Sequence, residues 1–230
     1  MDPKTALIVG VGSGLSASLA RLFTRHGLQV ALASRNPDRL AKLAEETASN
    51  TFACEATEPE EVAGLFDAVV ATQGEPDIVV YNASARARGP VTDLVPADVA
   101  RAIAVSAFGG FLVAQQAARL MVARGSGAIL LTGASASVKG YPNSSAFAMG
   151  KFALRGLAQS MARELQPKNV HVAHFVIDGG IRGAQRQDPA DSPDSLLDPD
   201  AIAETYWHVA TQNRSAWTWE VELRPWVERF

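Results

Sequence analysis

The sequence predicts an α/β protein with a single doubly wound parallel sheet of seven strands and helices on both faces. Short apolar runs of the strand type alternate with longer helical patterns nearly to the end of the 230 residues. Several of these runs are apolar on both faces, as strands covered by helices must be. A turn rich in glycine joins the first strand to the first helix. We therefore expect one domain over residues 1–230.

The individual elements follow from the pattern in chain order. Strands are predicted at seven runs, which read ALIVG, VALAS, TFACE, DIVVYN, GAILLTG, VHVAHFVI and TWEVEL. Helices are predicted between them, near residues 14–26, 37–48, 58–73, 97–124, 144–166 and 199–212. The last strand belongs to a C-terminal strand and tail over residues 213–230.

One long irregular stretch, rich in Gly, Pro and Asp, separates the sixth strand from the last helix. A loop of this length inside a compact domain is usually functional or disordered. It follows the carboxyl end of a strand, where such folds bind ligands. Residues 182–198 are therefore predicted to form a lid over a substrate.

The composition favours a soluble protein of the cytoplasm. The formal net charge of -3 argues against nucleic-acid binding. The single cysteine, Cys54, excludes an intramolecular disulfide and fits a reducing compartment. The few residues before the first apolar run leave no room for a signal peptide, and we expect no membrane span because no run of about 20 purely apolar residues occurs.

Two helical segments carry very few charges. No side chain between Arg101 and Arg119 is charged, and residues 144–162 are charged only at Lys151 and Arg155. A helix that is apolar nearly all round must be buried on more than one side. We expect a homodimer or homotetramer formed through the helices near 97–124 and 144–166. Burial by loops of the same chain is the open alternative.

The first glycine turn predicts a phosphate-binding loop. Gly10, Gly12 and Gly14, with Ser13 and Leu15, lie between the first strand and its helix. Glycines there allow a tight turn and a close approach of backbone amides to a pyrophosphate at the helix N-terminus. A glycine pattern is stronger evidence for a dinucleotide site when it joins a predicted strand to a helix, as it does here. The turn favours a Rossmann-type domain that binds a dinucleotide.

The residues at the end of the second strand predict which dinucleotide the protein binds. The ribose of the cofactor lies at this position, where a carboxylate favours a free 2′-hydroxyl. Here Ser34, Arg35 and Asn36 follow, and no carboxylate occurs until Asp38. A guanidinium suits a phosphate, so we expect NADP(H) as the cofactor. In the alternative interpretation Arg35 simply points to solvent.

Four motifs together resemble the short-chain dehydrogenase/reductase family over nearly the whole chain. They read VGVGSGLS, YNASA, LLTGAS and FAMGK. Gly10 and Gly14 match the glycine pattern of the family, but Ser16 stands at its last position. The resemblance implies an oxidoreductase that uses a nicotinamide cofactor on a small molecule and assembles as a dimer or tetramer.

The same resemblance adds residues along the cofactor. It places Glu55 and Ala56 near the adenine, Asp178 and Gly179 after the sixth strand, and Ile181 where a backbone amide holds the carboxamide. The predicted cofactor-binding residues are Gly10, Gly12, Ser13, Gly14, Leu15, Ser34, Arg35, Asn36, Glu55, Ala56, Asn82, Ala83, Ser84, Thr132, Lys151, Asp178, Gly179 and Ile181.

The catalytic set implied by the resemblance is incomplete. In the family a tyrosine donates a proton to the carbonyl oxygen, and a lysine four residues later lowers the pKa of that tyrosine and holds the ribose. Lys151 is in place, but Phe147 stands at the tyrosine position. Ala134 falls at the serine position and Ser106 at the asparagine position. Cofactor binding is expected to survive, whereas ordinary carbonyl reduction is in doubt.

Two hydroxyl side chains near the tyrosine position are candidates for the missing proton donor. Ser135 is one residue beyond the serine position, and Tyr141 lies on the loop that would border the nicotinamide pocket. The catalytic candidates are therefore Lys151, Ser135 and Tyr141. No cluster of His, Cys and Asp has the spacing of a metal site.

Three functions remain open from sequence. The first is an NADPH-dependent reductase of a small carbonyl or an activated double bond, with an altered proton donor. The second is an impaired module that senses NADP(H) or acts as a scaffold. The third is the same fold without a cofactor. The sequence does not identify the substrate, the proton donor or the number of subunits.

Overall fold

A computed structural model describes residues 2–183 and 186–227. Seven parallel strands form one sheet in the order β3-β2-β1-β4-β5-β6-β7, which confirms the predicted fold class. The strands are β1 (Thr5–Val9), β2 (Gln29–Ser34), β3 (Asn50–Ala53), β4 (Ile78–Tyr81), β5 (Gly127–Thr132), β6 (Val170–Ile177) and β7 (Glu220–Leu223). The helices are α1 (Leu15–Arg25), α2 (Ala41–Thr47), α3 (Pro59–Gln73), α4 (Pro96–Ile103), α5 (Gly109–Arg124), α6 (Ser145–Leu165) and α7 (Pro199–Ala210).

The strand order reverses between β1 and β4. The chain moves outward from β1 to β3, then returns to place β4 on the other side of β1. The connections on either side of this point diverge at the carboxyl ends of the strands, so a crevice opens there. The strand order alone therefore predicts that the candidate site lies at this edge of the sheet.

Alternate residues of the central strands supply two hydrophobic cores. Leu7 and Val9 face α3, α5 and α6, whereas Ala6 and Ile8 face α1, α2 and α7. All four side chains are almost fully buried. Because successive strand residues point to opposite faces, a strand covered on both sides must be apolar throughout.

Local signals set the helix boundaries. Proline stands at or next to the first position of α3, α4 and α7, where its missing N–H costs no helical hydrogen bond. Asp198 caps α7 by accepting a hydrogen bond from the backbone of Asp200 at 2.8 Å. Gly125 ends α5 in the left-handed conformation with φ of 72°.

Helices α4 and α5 form one long rod through a π-helical turn at Ala104–Phe108. In the described part of the chain this rod, Pro96–Arg124, is long and apolar enough to cross a membrane, with a mean hydropathy of 1.5 and 39% of the window buried. The expectation of no membrane span came from the lack of a purely apolar run, and two glutamines do interrupt this one. The indication is weak because core helices pass the same test, and Val113, Ala117 and Met121 are fully buried in this fold.

The segment predicted as a lid folds back along the end of the sheet. Leu197 donates a backbone hydrogen bond to Gly180 and accepts one from Arg182, both at 2.8 Å. The Arg182 guanidinium lies 3.4 Å from Asp198 and 3.7 Å from Asp188. Residues 184 and 185 of the predicted lid, and 228–230 of the predicted tail, lie outside the described residues.

Candidate functional site

The glycine turn between β1 and α1 is built for close approach. Gly10 has φ of 86°, and a Cβ there would overlap the backbone nitrogen of Ala83 on the neighbouring strand end. A Cβ at Gly12 or Gly14 would instead meet nothing within 4 Å. Both glycines line the cavity at the sheet edge. The first glycine is therefore needed for packing, and the other two leave the approach to the helix N-terminus open.

Ser16 fixes this turn to the adjacent strand. Its hydroxyl donates to the Gly10 carbonyl at 3.2 Å and accepts a hydrogen bond from the Asn82 amide at 2.6 Å. From the sequence, Ser16 is notable only because it stands where the family pattern has a glycine. The structure shows instead a buried hydroxyl that joins β1, α1 and the end of β4.

A cavity of about 1030 Å³ extends over the carboxyl ends of β1, β2 and β4. Arg35 lines it with a side chain that is 65% exposed, at 4.0 Å from a carboxylate oxygen of Glu55. The neighbouring Ser34 hydroxyl is buried and has no hydrogen-bond partner. Arg39 and Lys42 add positive charge to the same wall. These groups could hold an anionic group at this end.

A second cavity, of about 530 Å³, contains Lys151 and Phe147. The Lys151 side chain is buried in α6, and its Nζ donates a hydrogen bond to the Thr132 carbonyl at 2.7 Å. Burial, and secondarily the charge of Arg86, lowers the pKa of Lys151 to about 7. An ammonium has three donors and only one is used here, so Lys151 could bind ligand hydroxyls.

Phe147 lies one helical turn before Lys151 and is itself nearly buried. The Lys151 Nζ is 5.9 Å from the centre of the ring. The guanidinium carbon of Arg86 lies over the ring at 4.1 Å from the same centre. The phenyl ring therefore lies between helix α6 and a cation from the loop after β4.

Ser106 lies in the π-helical turn and is fully buried. Its hydroxyl lies 3.3 Å from the backbone nitrogen and 3.4 Å from the backbone oxygen of Ala85. A Cβ at Gly150 would lie only 2.7 Å from the Cβ of Ser106. This serine therefore serves to hold the loop after β4 against the rod and α6.

The proposed proton donors lie at the end of β5 and beyond it. Ser135 lies close enough to Asp178 to affect its pKa, and the Asp178 carboxylate accepts a hydrogen bond from Lys139 at 2.8 Å. Burial raises the pKa of Asp178, but the interactions with Lys139 and Ser135 and the charges of Lys139 and Arg224 together outweigh burial and lower it. Tyr141 is 47% exposed. Neither Ser135 nor Tyr141 lines the two cavities, and their catalytic role stays a prediction.

Most of the predicted cofactor residues come together along the two cavities. Asp178 is the exception, since it points toward Lys139 and lines neither. The predicted residues that line one or both cavities are Gly10, Gly12, Ser13, Gly14, Leu15, Ser34, Arg35, Asn36, Glu55, Ala56, Asn82, Ala83, Ser84, Thr132, Lys151, Gly179 and Ile181.

Sequence reasoning missed Arg86 at this site and included Arg186 only as part of the predicted lid over residues 182–198. Arg86 and Arg186 line the second cavity although neither belongs to a recognised motif. The available signal was the position of Arg86 in the segment ARARG, directly after a predicted strand end. Residues at the carboxyl ends of parallel strands are the ones that meet ligands in this fold.

A doubly wound parallel sheet with a glycine turn at its switch point defines a Rossmann-type α/β protein. Residues 4–189 match the family model described as short chain dehydrogenase. The chain belongs to the short-chain dehydrogenase family.

Individual relatives agree with this assignment. Secoisolariciresinol dehydrogenase of Forsythia intermedia is 33% identical over 177 residues, which are 75% of this chain and 64% of that protein. The chain thus spans less than two thirds of that relative's length. The crystal structure of a short-chain dehydrogenase from Rhodopseudomonas palustris superposes with a TM-score of 0.85 at 33% identity, covering 97% of this chain and 99% of the other. A metagenomic short-chain oxidoreductase in complex with NADP gives 0.84 at 25% identity, covering 96% and 97%.

Proposed function

We propose that the protein is an NADP(H)-dependent oxidoreductase that acts on a small carbonyl compound or an activated double bond, with an altered proton donor. The two cavities share Gly10, Gly12 and Ser13 and so form one groove along the sheet edge. One end of the groove holds Arg35 and the other holds Lys151. This placement of cations at both ends of a glycine turn carries the proposal.

The residues present fit the phosphorylated dinucleotide. The unpartnered Ser34 hydroxyl and the Arg35 guanidinium would bind a 2′-phosphate, which a carboxylate in their place would repel. The open space at Gly12 and Gly14 would admit the pyrophosphate at the start of α1. A similar short-chain oxidoreductase was solved in complex with NADP, which supports this proposal.

The other end of the groove determines the chemistry. A bound NADPH would supply a hydride there, and Lys151 would hold the ribose hydroxyls with its two free donors. The phenyl ring of Phe147 has no proton to give at the position where the family resemblance expects a phenol. We therefore propose that the substrate bond is activated and that its proton comes from Ser135, Tyr141 or water.

The test is NADPH oxidation, followed by absorbance, with a panel of small aldehydes, ketones, enones and imines. Turnover above that of Lys151→Ala on at least one class supports the proposal. NADPH binding, followed by nucleotide fluorescence, is measured in parallel. Binding without any turnover across the panel would contradict the enzymatic function, and absent binding would contradict the cofactor as well.

The second candidate is a module that binds NADP(H) without turning over a substrate. It is favoured by the joint occurrence of Phe147, Ala134 and Ser106 at three positions where the resemblance expects catalytic side chains. It predicts roughly micromolar binding with no oxidation and a change in protease sensitivity of residues 182–198 on binding. If neither the protease sensitivity nor the assembly of the protein changes when NADPH is added, the result would contradict the binding module.

We also propose a homodimer or homotetramer located in the cytoplasm. Large apolar side chains remain exposed on the packed helices α5 and α6 and on the turn before α5, namely Phe108, Phe111, Met149 and Phe152. Exposed apolar surface of this kind favours a second copy of the chain. Sedimentation of the wild type and of Phe152→Asp tests this: the variant should shift toward the monomer, and a monomeric wild type would contradict it.

A further inference from the structure

The second cavity carries more positive charge than its own residues neutralise. Four cations line it, and no Asp or Glu does so among the described residues. Arg182 pairs with Asp188 and Asp198. For Arg86 and Arg186 no ion pair occurs within residues 2–183 and 186–227. These charges should give the cavity a positive electrostatic potential, which would attract an anion.

Arg86 is held in place by the aromatic ring rather than by a carboxylate. Its guanidinium lies 4.1 Å from the centre of Phe147, within the range of a cation–π contact. Partial burial, then the charges of Arg88 and Arg186, lower the pKa of Arg86. A guanidinium resting on a ring keeps the N–H groups at its edge available for a carboxylate.

The Arg86 guanidinium is positioned by the Phe147 ring rather than by the glycine turn that would bind the cofactor phosphates. In the proposed function these phosphates lie near Arg35 and at the glycine turn, whose residues Gly12 and Gly14 also line the second cavity, whereas the Arg86 guanidinium is stacked on the Phe147 ring. Reduced nicotinamide and its ribose bring no negative charge to the end of the groove that holds Lys151. Arg86 is exposed, so its guanidinium is open to solvent and available to an anionic group of the other reactant.

We propose that the substrate is a 2-oxo acid whose carboxylate binds Arg86 on the face of Phe147. This inference rests on the proposed function and specifies its substrate class. In the overall change, the 2-oxo acid, NADPH and one proton become the 2-hydroxy acid and NADP⁺. The carbonyl carbon gains the hydride, and the oxygen gains a proton that comes from water. A carbonyl that bears an electron-withdrawing carboxyl group needs less help from a phenol, which agrees with Phe147.

The test uses a matched pair of probes, phenylglyoxylate and its neutral methyl ester, which share the same carbonyl group. Arg86→Ala is compared with the wild type, with Arg86→Lys, and with Arg88→Ala as a control, because Arg88 is exposed like Arg86 but does not line the cavity. The readouts are kcat/KM for NADPH oxidation and calorimetric binding of phenylglyoxylate to the protein with NADP⁺.

The wild type should prefer the acid over the ester by about tenfold or more, and Arg86→Ala should lose most of this preference through KM. Arg86→Lys should keep part of it and Arg88→Ala all of it. Calorimetry should show acid binding that weakens about tenfold in Arg86→Ala, whether or not turnover occurs.

Equal use of both probes, or equal losses in Arg86→Ala and Arg88→Ala, would overturn the inference. A protein that binds NADPH but not phenylglyoxylate overturns the inference alone and leaves the proposed cofactor site intact. A protein that does not bind NADPH overturns the proposed function, and the inference falls with it.

Discussion

The ammonium of Lys151 lies 5.9 Å from the centre of the Phe147 ring, one helical turn away and inside the same cavity. The lysine is almost fully buried and donates its observed hydrogen bond to the Thr132 carbonyl. The cation thus lies beside a ring that has no hydroxyl for it to acidify. Lys151 also lines the cavity that the proposed cofactor would fill.

Restoring the hydroxyl should restore proton donation. In Phe147→Tyr a phenol would lie near Lys151, and a positioned general acid contributes roughly 10²–10⁴-fold. We expect carbonyl reduction to rise by about 10²-fold with unchanged NADPH affinity. NADPH oxidation with an aldehyde panel measures the gain, and Phe147→Leu is the control that should show none. No gain in the tyrosine variant would implicate Ala134 and Ser106 as further deficits.

Burial of Lys151 should cost the free protein stability at neutral pH. The pKa is about 7 in the fold but about 10.4 in an unfolded chain. The folded protein therefore binds fewer protons between these values, and stability rises as the pH increases from 7 to 10. Lys151→Met should be more stable than the wild type by on the order of 2–4 kcal/mol at pH 7, with the difference shrinking toward pH 10.

Denaturant unfolding at pH 6, 7, 8.5 and 10 measures this effect without cofactor. Lys168→Met is the control, because the Lys168 side chain is 48% exposed. The control should show no comparable pH-dependent difference. A constant offset of Lys151→Met across the pH series would contradict the assigned pKa.

Cofactor preference should depend on Arg35. Loss of charged hydrogen bonds to a phosphate costs about 1.5–3 kcal/mol, so Arg35→Ala should weaken NADPH binding by about 10- to 100-fold. NADH binding should change by less than about twofold, because NADH lacks the phosphate. Fluorescence titration with both nucleotides measures the ratio, and Arg25→Ala at the far end of α1 should alter neither. Equal losses for both nucleotides would argue against a contact with the 2′-phosphate.

A network behind the site ties α6 to the last strand. Arg155 binds both carboxylate oxygens of Glu220 at 2.6 and 2.7 Å, and Glu220 lies 3.0 Å from Nδ1 of the buried His174. Burial raises the pKa of Glu220, but the hydrogen bonds and charge of Arg155, together with His174, outweigh burial and the pKa is lowered. Arg155→Met should lower the free energy of unfolding by about 1–3 kcal/mol at pH 7.

The loss of unfolding free energy in Arg155→Met should become smaller at low pH. A carboxyl with a lowered folded pKa contributes stability above its unfolded pKa of about 4.3 and loses it as the pH falls further. The difference between Arg155→Met and the wild type should therefore narrow below pH 4. Thermal unfolding from pH 3.5 to 8 measures it, with the exposed Arg163→Met on the same helix as the control. A loss that stays constant over this range would exclude the ion pair as its cause.

The sequence by itself determined the sheet, its helices and the glycine turn, because these depend on apolar periodicity and on turn residues close together in the chain. It also indicated the two ends of the groove, since Arg35 and Lys151 lie in motifs beside predicted elements.

Only the tertiary structure decided the contacts between distant segments. Ser16 joins Asn82 across 66 residues, and Arg86 rests on Phe147 although no motif connects them. The same holds for Ser135, which lies near Asp178 and outside the two cavities. The physical reason is that strand order and helix packing bring these side chains together, whereas periodicity reports only which face a residue occupies.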